Sequence, residues 1–514
     1  MMAHKHYPGE RVWVQQPDGS LRWEMTKESH LPRDWWDKVR TQVDALDMEA
    51  RARGKLGSRE AHQILVRTEG GRFLNMFADD DAVRARAKQN AEVCAWFCRV
   101  ATGEANALGR IANYCEAMGV LPPQGQTAAG EIARAIEPGW WLRQLRKTAN
   151  RQAEDSARRL FLVHGGRGGY RYVTDETVNA WRYRKASNRA LLEQSTATNE
   201  SGFETTLADL SDAGPANPSN RRNELMTRIA GVEQLARVLE LDAWFLTVTC
   251  PSRFHACHSN GHPNAKYDDS TPRDGQAHLN RVWARTRAKL AREGIEVCGL
   301  RTAEPHRDGC PHWHLLAFVS ADRAADLVDI FRAHALEESP DEPGAQEHRF
   351  TAKRIDPEKG SAAGYVAKYI AKFTDQRGLG DVDGGEPIET AERVAAWASV
   401  HGIRQYQFFG VRAVGAWREL RRLKAETDDR IEPARKAADL GDWAGFDIAA
   451  SRCALRTARE WSDKPNRYGE PQGWRVFGVE TGDGLTVVTR LHEWLIEWAS
   501  LSRLRAEGQP LGLV

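Results

Sequence analysis

No run of about 18 apolar residues, the length a bilayer-spanning helix needs, occurs in the 514-residue chain. A membrane-spanning helix is therefore excluded. The opening residues, Met1-Met2-Ala3-His4-Lys5-His6, lack the apolar core of a signal peptide. The 8 cysteines show no regular spacing, which argues against a disulfide framework and for reduced thiols in a cytosol. A net charge of only +2 rules out a uniformly basic coat, although local basic patches remain open. There is no Gly-x-x-x-x-Gly-Lys-Ser/Thr phosphate loop, no internal repeat and no low-complexity segment. What is present is a hydrophobic fraction of 41% with 18 Trp, the composition of a globular protein. The expectation is a soluble, cytoplasmic protein without a membrane partner, long enough for more than one domain.

Periodicity divides the chain. Residues 1–30 mix Pro, Gly and charge and read as a loose lead-in. Apolar residues recur at three- and four-residue spacing over Trp35–Met48, Asp79–Thr102, Ala105–Met118, Ala128–Arg159 and Trp181–Gln194, predicting helices and a mainly helical region over 1–194. The polar stretch 195–222, with Pro215 and Pro218, has linker composition. Over 223–376 the pattern changes to helix Asn223–Leu241, strand Ala243–Thr249, helix Gln276–Glu293, strands Val297–Glu304 and Trp313–Val319, helix Ala321–Leu336, strand Arg349–Ile355 and helix Ser361–Phe373, with Ser361 as N-cap. This order predicts an α+β unit, a central antiparallel sheet with helices on one face. A Gly- and Asp-rich loop, 376–386, closes it. Region 377–514 reads as mainly helical, with helices Thr390–Val400 and Val414–Thr427 and a final amphipathic helix Leu491–Glu507.

The chemistry concentrates in Glu304-Pro-His-Arg-Asp-Gly-Cys-Pro-His-Trp-His314. Alternate strand residues share a face, so His312 and His314 project together and Trp313 projects to the other side. A turn at Asp308-Gly309-Cys310 would bring Glu304 back beside them. Two imidazoles and a carboxylate can hold one divalent ion and leave positions open for water and a substrate oxygen. A His-x-His pair on a strand can equally be incidental. His306 could be a fourth ligand or a phosphate contact.

Downstream, Gly364-Tyr-Val-Ala-Lys-Tyr-Ile-Ala-Lys372 places Tyr365 and Tyr369 four apart, on one helical face. Lys368 and Lys372 each follow a tyrosine by three residues. A phenol is a weak nucleophile near neutral pH; a nearby ammonium favours the phenolate, and lysines can stabilise charge on a phosphoryl transition state. Paired tyrosines on an amphipathic helix are otherwise ordinary packing residues.

Together these segments resemble the two-tyrosine class of HUH endonucleases, named for the His-hydrophobic-His motif, with Phe245–Thr249 matching the upstream apolar strand. The order of histidines before tyrosines is that of rolling-circle replication initiators. More closely, Thr249-Cys-Pro-Ser-Arg-Phe-His255, Glu304-Pro-His306, Pro311-His-Trp-His-Leu-Leu316, Gly364–Lys372 and Gly402-Ile-Arg-Gln-Tyr-Gln407 resemble the replication gene A proteins of temperate tailed phages and prophages. The resemblance covers about residues 220–425 of this chain. It implies a palm- or RRM-like HUH domain that nicks single-stranded origin DNA to start rolling-circle replication. One tyrosine would become linked to the 5′ phosphate, the second would cut the regenerated site, and the strands would be rejoined. It further implies His312, His314 and Glu304 as ligands of Mg²⁺ or Mn²⁺. With no phosphate loop, unwinding would fall to a separate host helicase and replication machinery. A two-tyrosine transposase, a non-catalytic DNA-binding protein and a metal-dependent hydrolase are the alternatives.

For DNA contact, Arg281, Arg285, Arg287 and Lys289 form a basic helix face, and Trp140–Arg189 interleaves basic and aromatic residues suited to phosphates and bases. Both could be solvated faces over ordinary cores. Cys250, His255, Cys257, His258 and His262 match no standard zinc spacing, and Cys94 and Cys98 read as small buried hydrophobes.

Overall fold

The computed structural model describes residues 11–15, 21–25, 33–53, 80–374 and 387–499. It is α+β, with helices and several antiparallel sheets. Among the described residues no helix is long and apolar enough to cross a membrane.

Strands β1 (Arg11–Gln15) and β2 (Leu21–Met25) pair antiparallel within the expected lead-in. Helices Arg33–Ala52, Asp80–Val100, Glu104–Ala117, Ala128–Ala135, Pro138–Arg159 and Asp175–Gln194 follow. The single helix expected over Ala128–Arg159 is two, because Pro138, which lacks an amide proton, starts the second. Val163 and Tyr170 form an isolated bridge.

The polar stretch expected as a linker is structured. It holds β3 (Thr196–Asn199), β4 (Glu204–Thr206), a helix Leu207–Ala213 and the start of helix Pro218–Val238. Its polar side chains close turns and caps. The Asn199 carboxamide oxygen accepts from the Ser201 and Phe203 amides at 3.1 and 2.8 Å. The Thr206 and Asn217 side chains cap the helices that follow them.

The central sheet is β5 (Leu241–Thr249), β6 (Cys298–Pro305), β7 (Pro311–Ser320), β8 (Phe350–Arg354) and β9 (Tyr406–Phe409), in the order β8-β5-β7-β6-β9 with every neighbouring pair antiparallel. Alternation sorts its residues. Leu246, Val248, Ala303, Trp313 and Leu315 face helices Pro272–Arg292, Ala324–Ala335 and Pro387–His401. Phe245, Leu300, Leu316 and Phe318 face helices Pro218–Val238 and Ala362–Thr374. Helices therefore cover both faces, not one, because the inner strands are apolar on both sides and each side must be buried.

The region beyond 377 is less helical than expected. Gly415–Leu420 is a short helix where Val414–Thr427 was predicted. Strands β10 (Arg456–Pro465), β11 (Pro471–Glu480) and β12 (Thr486–Val488) form a sheet. β13 (Trp494–Glu497) pairs with β3, replacing the start of the expected helix Leu491–Glu507. The loop 376–386 lies outside the described residues.

Candidate metal centre and tyrosine helix

Register builds the site. On β7, His312 lies opposite Thr249 of β5 and Glu304 of β6, and His314 lies opposite Thr247 and Thr302. Glu304 is thus brought back across the hairpin to His312, as the short turn predicts. The two Nε2 atoms are 3.1 Å apart, and Glu304 Oε2 is 4.0 Å from His314 Nε2. One ligand atom from each of the three residues lies within 4.8 Å of the others. Glu304 is buried and the histidines are half-buried. The donor set fits a divalent cation: two imidazole nitrogens face each other beside a carboxylate, an arrangement that calls for positive charge between them. Thr247 Oγ1 lies 2.9 Å from His314 Nδ1, a contact that orients the ring and leaves Nε2 outside that bond.

The loop joining β6 to β7 is fixed from several sides. Gly309 has φ +80°, and an added Cβ would meet the Tyr172 carbonyl oxygen at 3.0 Å. The buried Arg158 guanidinium donates to the carbonyls of Asp308, Ser270 and Phe254 at 3.0, 2.8 and 2.9 Å. Trp397 Nε1 donates to the Gly309 carbonyl at 2.9 Å. Burial alone would raise the Asp308 carboxyl, but the charges of His255 and Arg158 and the His255 hydrogen bond outweigh it and hold the group below its usual range. Helix Pro138–Arg159, through Arg158, and helix Pro387–His401, through Trp397, thus hold the loop beside the cluster.

His306 packs behind the cluster, its ring 4.1 Å from that of His312. Burial first, then the neighbouring His255, pushes its imidazole down to about 3. It lies outside the three-residue group that could hold a metal ion and touches His312 ring to ring.

The tyrosine helix, Ala362–Thr374, covers the same sheet face. Its first turn is tied down by Glu233 of helix Pro218–Val238, whose carboxylate accepts from the Ala362 and Ala363 amides at 3.1 and 2.9 Å. The predicted Ser361 cap is present, with Oγ accepting from the Gly364 amide at 2.9 Å. The Tyr365 ring centroid lies 4.7 Å from that of Phe245, which in turn stacks on His314 at 5.2 Å. Lys353, from β8, is 6.0 Å from the Tyr365 ring centre. The side chains of Lys368, Tyr369 and Lys372 lie outside the described residues.

Other predicted residues fall elsewhere. Arg281 and Arg285 are exposed and Lys289 half-exposed on helix Pro272–Arg292, across the sheet from the cluster. Arg285 pairs with Glu337, and Lys289 with Glu293 at 2.5 Å. Trp140, Trp141, Tyr170 and Tyr172 are buried core residues. Among the described residues, the Cys250–His262 group does not gather as a metal set, and Cys250 instead donates to the Pro311 carbonyl at 3.3 Å. Cys94 is buried, its thiol pushed up to about 12 by burial. Thr247, Lys353 and Glu233 were not singled out in the sequence. Thr247 shares period two with Phe245 and Thr249, whereas Lys353 and Glu233 arrive through tertiary contacts that no local pattern announces.

An antiparallel sheet with a buried two-histidine, one-carboxylate cluster and a tyrosine helix on the same face defines the class: an α+β protein with a candidate metal centre. The particular family follows from comparison. Residues 71–377 match the bacteriophage replication gene A protein family, and the chain belongs to it. It is 37% identical to the replication protein of Haemophilus phage HP1, over 70% of this chain and 48% of that protein. It is 36% identical to the replication gene A protein of Escherichia phage 186, over 72% and 56% respectively. A probable replication endonuclease from a prophage-like region of Salmonella typhimurium is 33% identical over 68% and 46%. The chain thus spans about half the length of these relatives. No solved structure matches it.

Proposed function

We propose that this protein is a site-specific single-strand DNA endonuclease that nicks a replication origin through a phosphotyrosine intermediate and later rejoins strands. The observation that carries this reading is the shared sheet face: Tyr365 packs on Phe245, and Phe245 stacks on the metal-cluster residue His314. The family's membership in phage and prophage replication, and the relative named a replication endonuclease, support the substrate and the biological setting. Single-stranded origin DNA is the partner, and a separate host helicase with its replication machinery would supply unwinding.

His312, His314 and Glu304 would hold Mg²⁺ or Mn²⁺, which when bound polarises the scissile phosphate. The chain's own groups do the rest. The Tyr365 or Tyr369 oxygen attacks phosphorus, forming the Tyr O–P bond as the P–O3′ bond breaks. The phenol gives its proton to solvent, and the departing O3′ takes one up, leaving a 3′ hydroxyl that can prime synthesis. Lys353 offsets negative charge beside Tyr365, with Lys368 and Lys372 as further candidates on the same helix. The second tyrosine repeats the attack at the regenerated site, and reversal by the 3′ hydroxyl reseals the strand.

The test is incubation with single-stranded oligonucleotides tiling the candidate origin plus Mn²⁺, followed by denaturing electrophoresis. A covalent protein–DNA band that requires Mn²⁺ is expected. Cleavage that persists without an adduct when Tyr365→Phe and Tyr369→Phe are combined would instead make the protein a metal-dependent hydrolase.

A further inference from the structure

At the β9 edge of the central sheet lies a cleft of about 790 Å³, within the range of about 300–1,000 Å³ typical of small-ligand sites. Strand register relates it to the strand that carries Glu304. Tyr406 of β9 pairs with Thr302, and Glu304 lies two residues further along the same face of β6. Tyr406 lines the cleft and, by this register, shares a sheet face with Thr302 and Glu304.

Three features of the lining call for a polar, anionic ligand. Lys185, Arg221, Arg228, Arg404, Arg412 and Arg418 line it against only two carboxylates, Glu224 and Glu392. Those carboxylates are neutralised by Arg418 and Arg182. Lys185, Arg221 and Arg404 are exposed, and among the described residues none of them has a carboxylate partner. Arg228 is only 8% exposed. It is stacked 3.8 Å from the Phe408 ring centre and 4.7 Å from that of Trp443. Its Nε is buried without a hydrogen-bond partner, as are Gln405 Nε2 and Tyr406 Oη, both from cleft-lining residues. Three unmatched polar atoms in one cleft are costly unless something completes them. Trp181, with Lys185 5.1 Å from its ring, adds an aromatic surface at the rim.

We propose that this cleft binds the single strand next to the scissile phosphate, its phosphates on Arg221 and Arg404 and a base edge on Gln405 and Tyr406. Single-stranded DNA is favoured over a protein segment because the walls combine unpaired cations with aromatic residues, the combination that tracks phosphates and stacks bases. The cleft also borders β6, the strand that carries Glu304, through the pairing of Tyr406 with Thr302. The inference deepens the function proposed above and rests on it for the identity of the strand.

The test measures binding without cleavage. The full chain carrying Tyr365→Phe and Tyr369→Phe is titrated with fluorescent oligo(dT), without metal, over a range of salt concentrations. Adding Arg221→Ala with Arg404→Ala is expected to weaken binding about tenfold and to flatten the log–log salt dependence by about 1.4, at about 0.7 per lost phosphate contact. Both residues are exposed, and an unchanged melting temperature confirms the fold. Gln405→Ala is expected to weaken binding to a mixed-sequence strand with the salt slope unchanged. Unaltered affinity in the double arginine variant, absence of oligo(dT) binding by the parent, or equal binding to duplex each overturns the cleft assignment. The nicking reading is judged apart, by adduct formation in the chain with both tyrosines intact: an adduct with an unaltered arginine variant sinks the cleft alone, and no adduct with weakened binding sinks the nickase alone.

Discussion

The two faces of strand β7 carry opposite assignments. On one, His312 and His314 meet Glu304, Thr247 and Thr302 at the end of the sheet, and Leu316 and Phe318 continue into the core beneath the tyrosine helix. On the other, Trp313, Leu315, Ala317 and Val319 are wholly packed under three helices. A period of two residues lets one strand anchor the fold and present the candidate ligands at the same time.

Neighbouring substitutions should separate the faces. Trp313 is 0% exposed, so Trp313→Ala should cost about 3–5 kcal/mol of stability, read as a large fall in the denaturation midpoint. His314→Ala, one residue on, should leave the midpoint nearly unchanged while eliminating Mn²⁺ binding and adduct formation. Equal destabilisation by both would dissolve the distinction.

The tyrosine helix supplies the next contrast. Glu233→Ala strips the Ala362 and Ala363 amides of their acceptor and Arg237 of its partner. A loss of about 1–3 kcal/mol is expected, with slower adduct formation but unchanged Mn²⁺ affinity. Reduced Mn²⁺ affinity would mean that the helix also shapes the cluster.

Thr247→Val removes the hydroxyl beside His314 Nδ1 while keeping the side-chain volume. Mn²⁺ affinity by calorimetry should fall about tenfold, the lower end for groups that orient metal ligands. No change would remove Thr247 from the site.

The smallest effect is expected across the sheet. Arg285 pairs with Glu337 on the surface, and Arg285→Ala should alter stability by less than about 1 kcal/mol. Its oligonucleotide affinity, compared with that of the Arg221→Ala, Arg404→Ala variant, tells whether the strand stays on the reacting face or wraps the sheet to reach Arg281, Arg285 and Lys289.

What could be read in the sequence follows the strength of local periodicity. His312 and His314 share a face by period two, and a short turn returns Glu304 to them. Both are local relations, and the register reproduces them. The Ser361 cap is equally local. The C-terminal strands were obscured because β10 is exposed along most of its length and rich in charge, so one-sided alternation is faint. β13 is a four-residue strand, Trp-Leu-Ile-Glu, with three apolar residues and exposed throughout, and runs that short do not distinguish helix from strand. The polar stretch 195–222 resembled a linker because turn and cap residues have the same composition as linkers. The approaches of Lys353 and Glu233 to the tyrosine helix depend on tertiary packing, and the cleft beside Tyr406 is built from segments distant in the chain.

The most direct measurement is the mass of the peptide that carries DNA. After reaction with an origin oligonucleotide and Mn²⁺, protease and nuclease digestion should leave a nucleotide attached to the peptide spanning Tyr365 and Tyr369, and the His312→Ala, His314→Ala variant should yield none. A nucleotide attached to any other residue, or an adduct unaffected by loss of both histidines, would contradict the account.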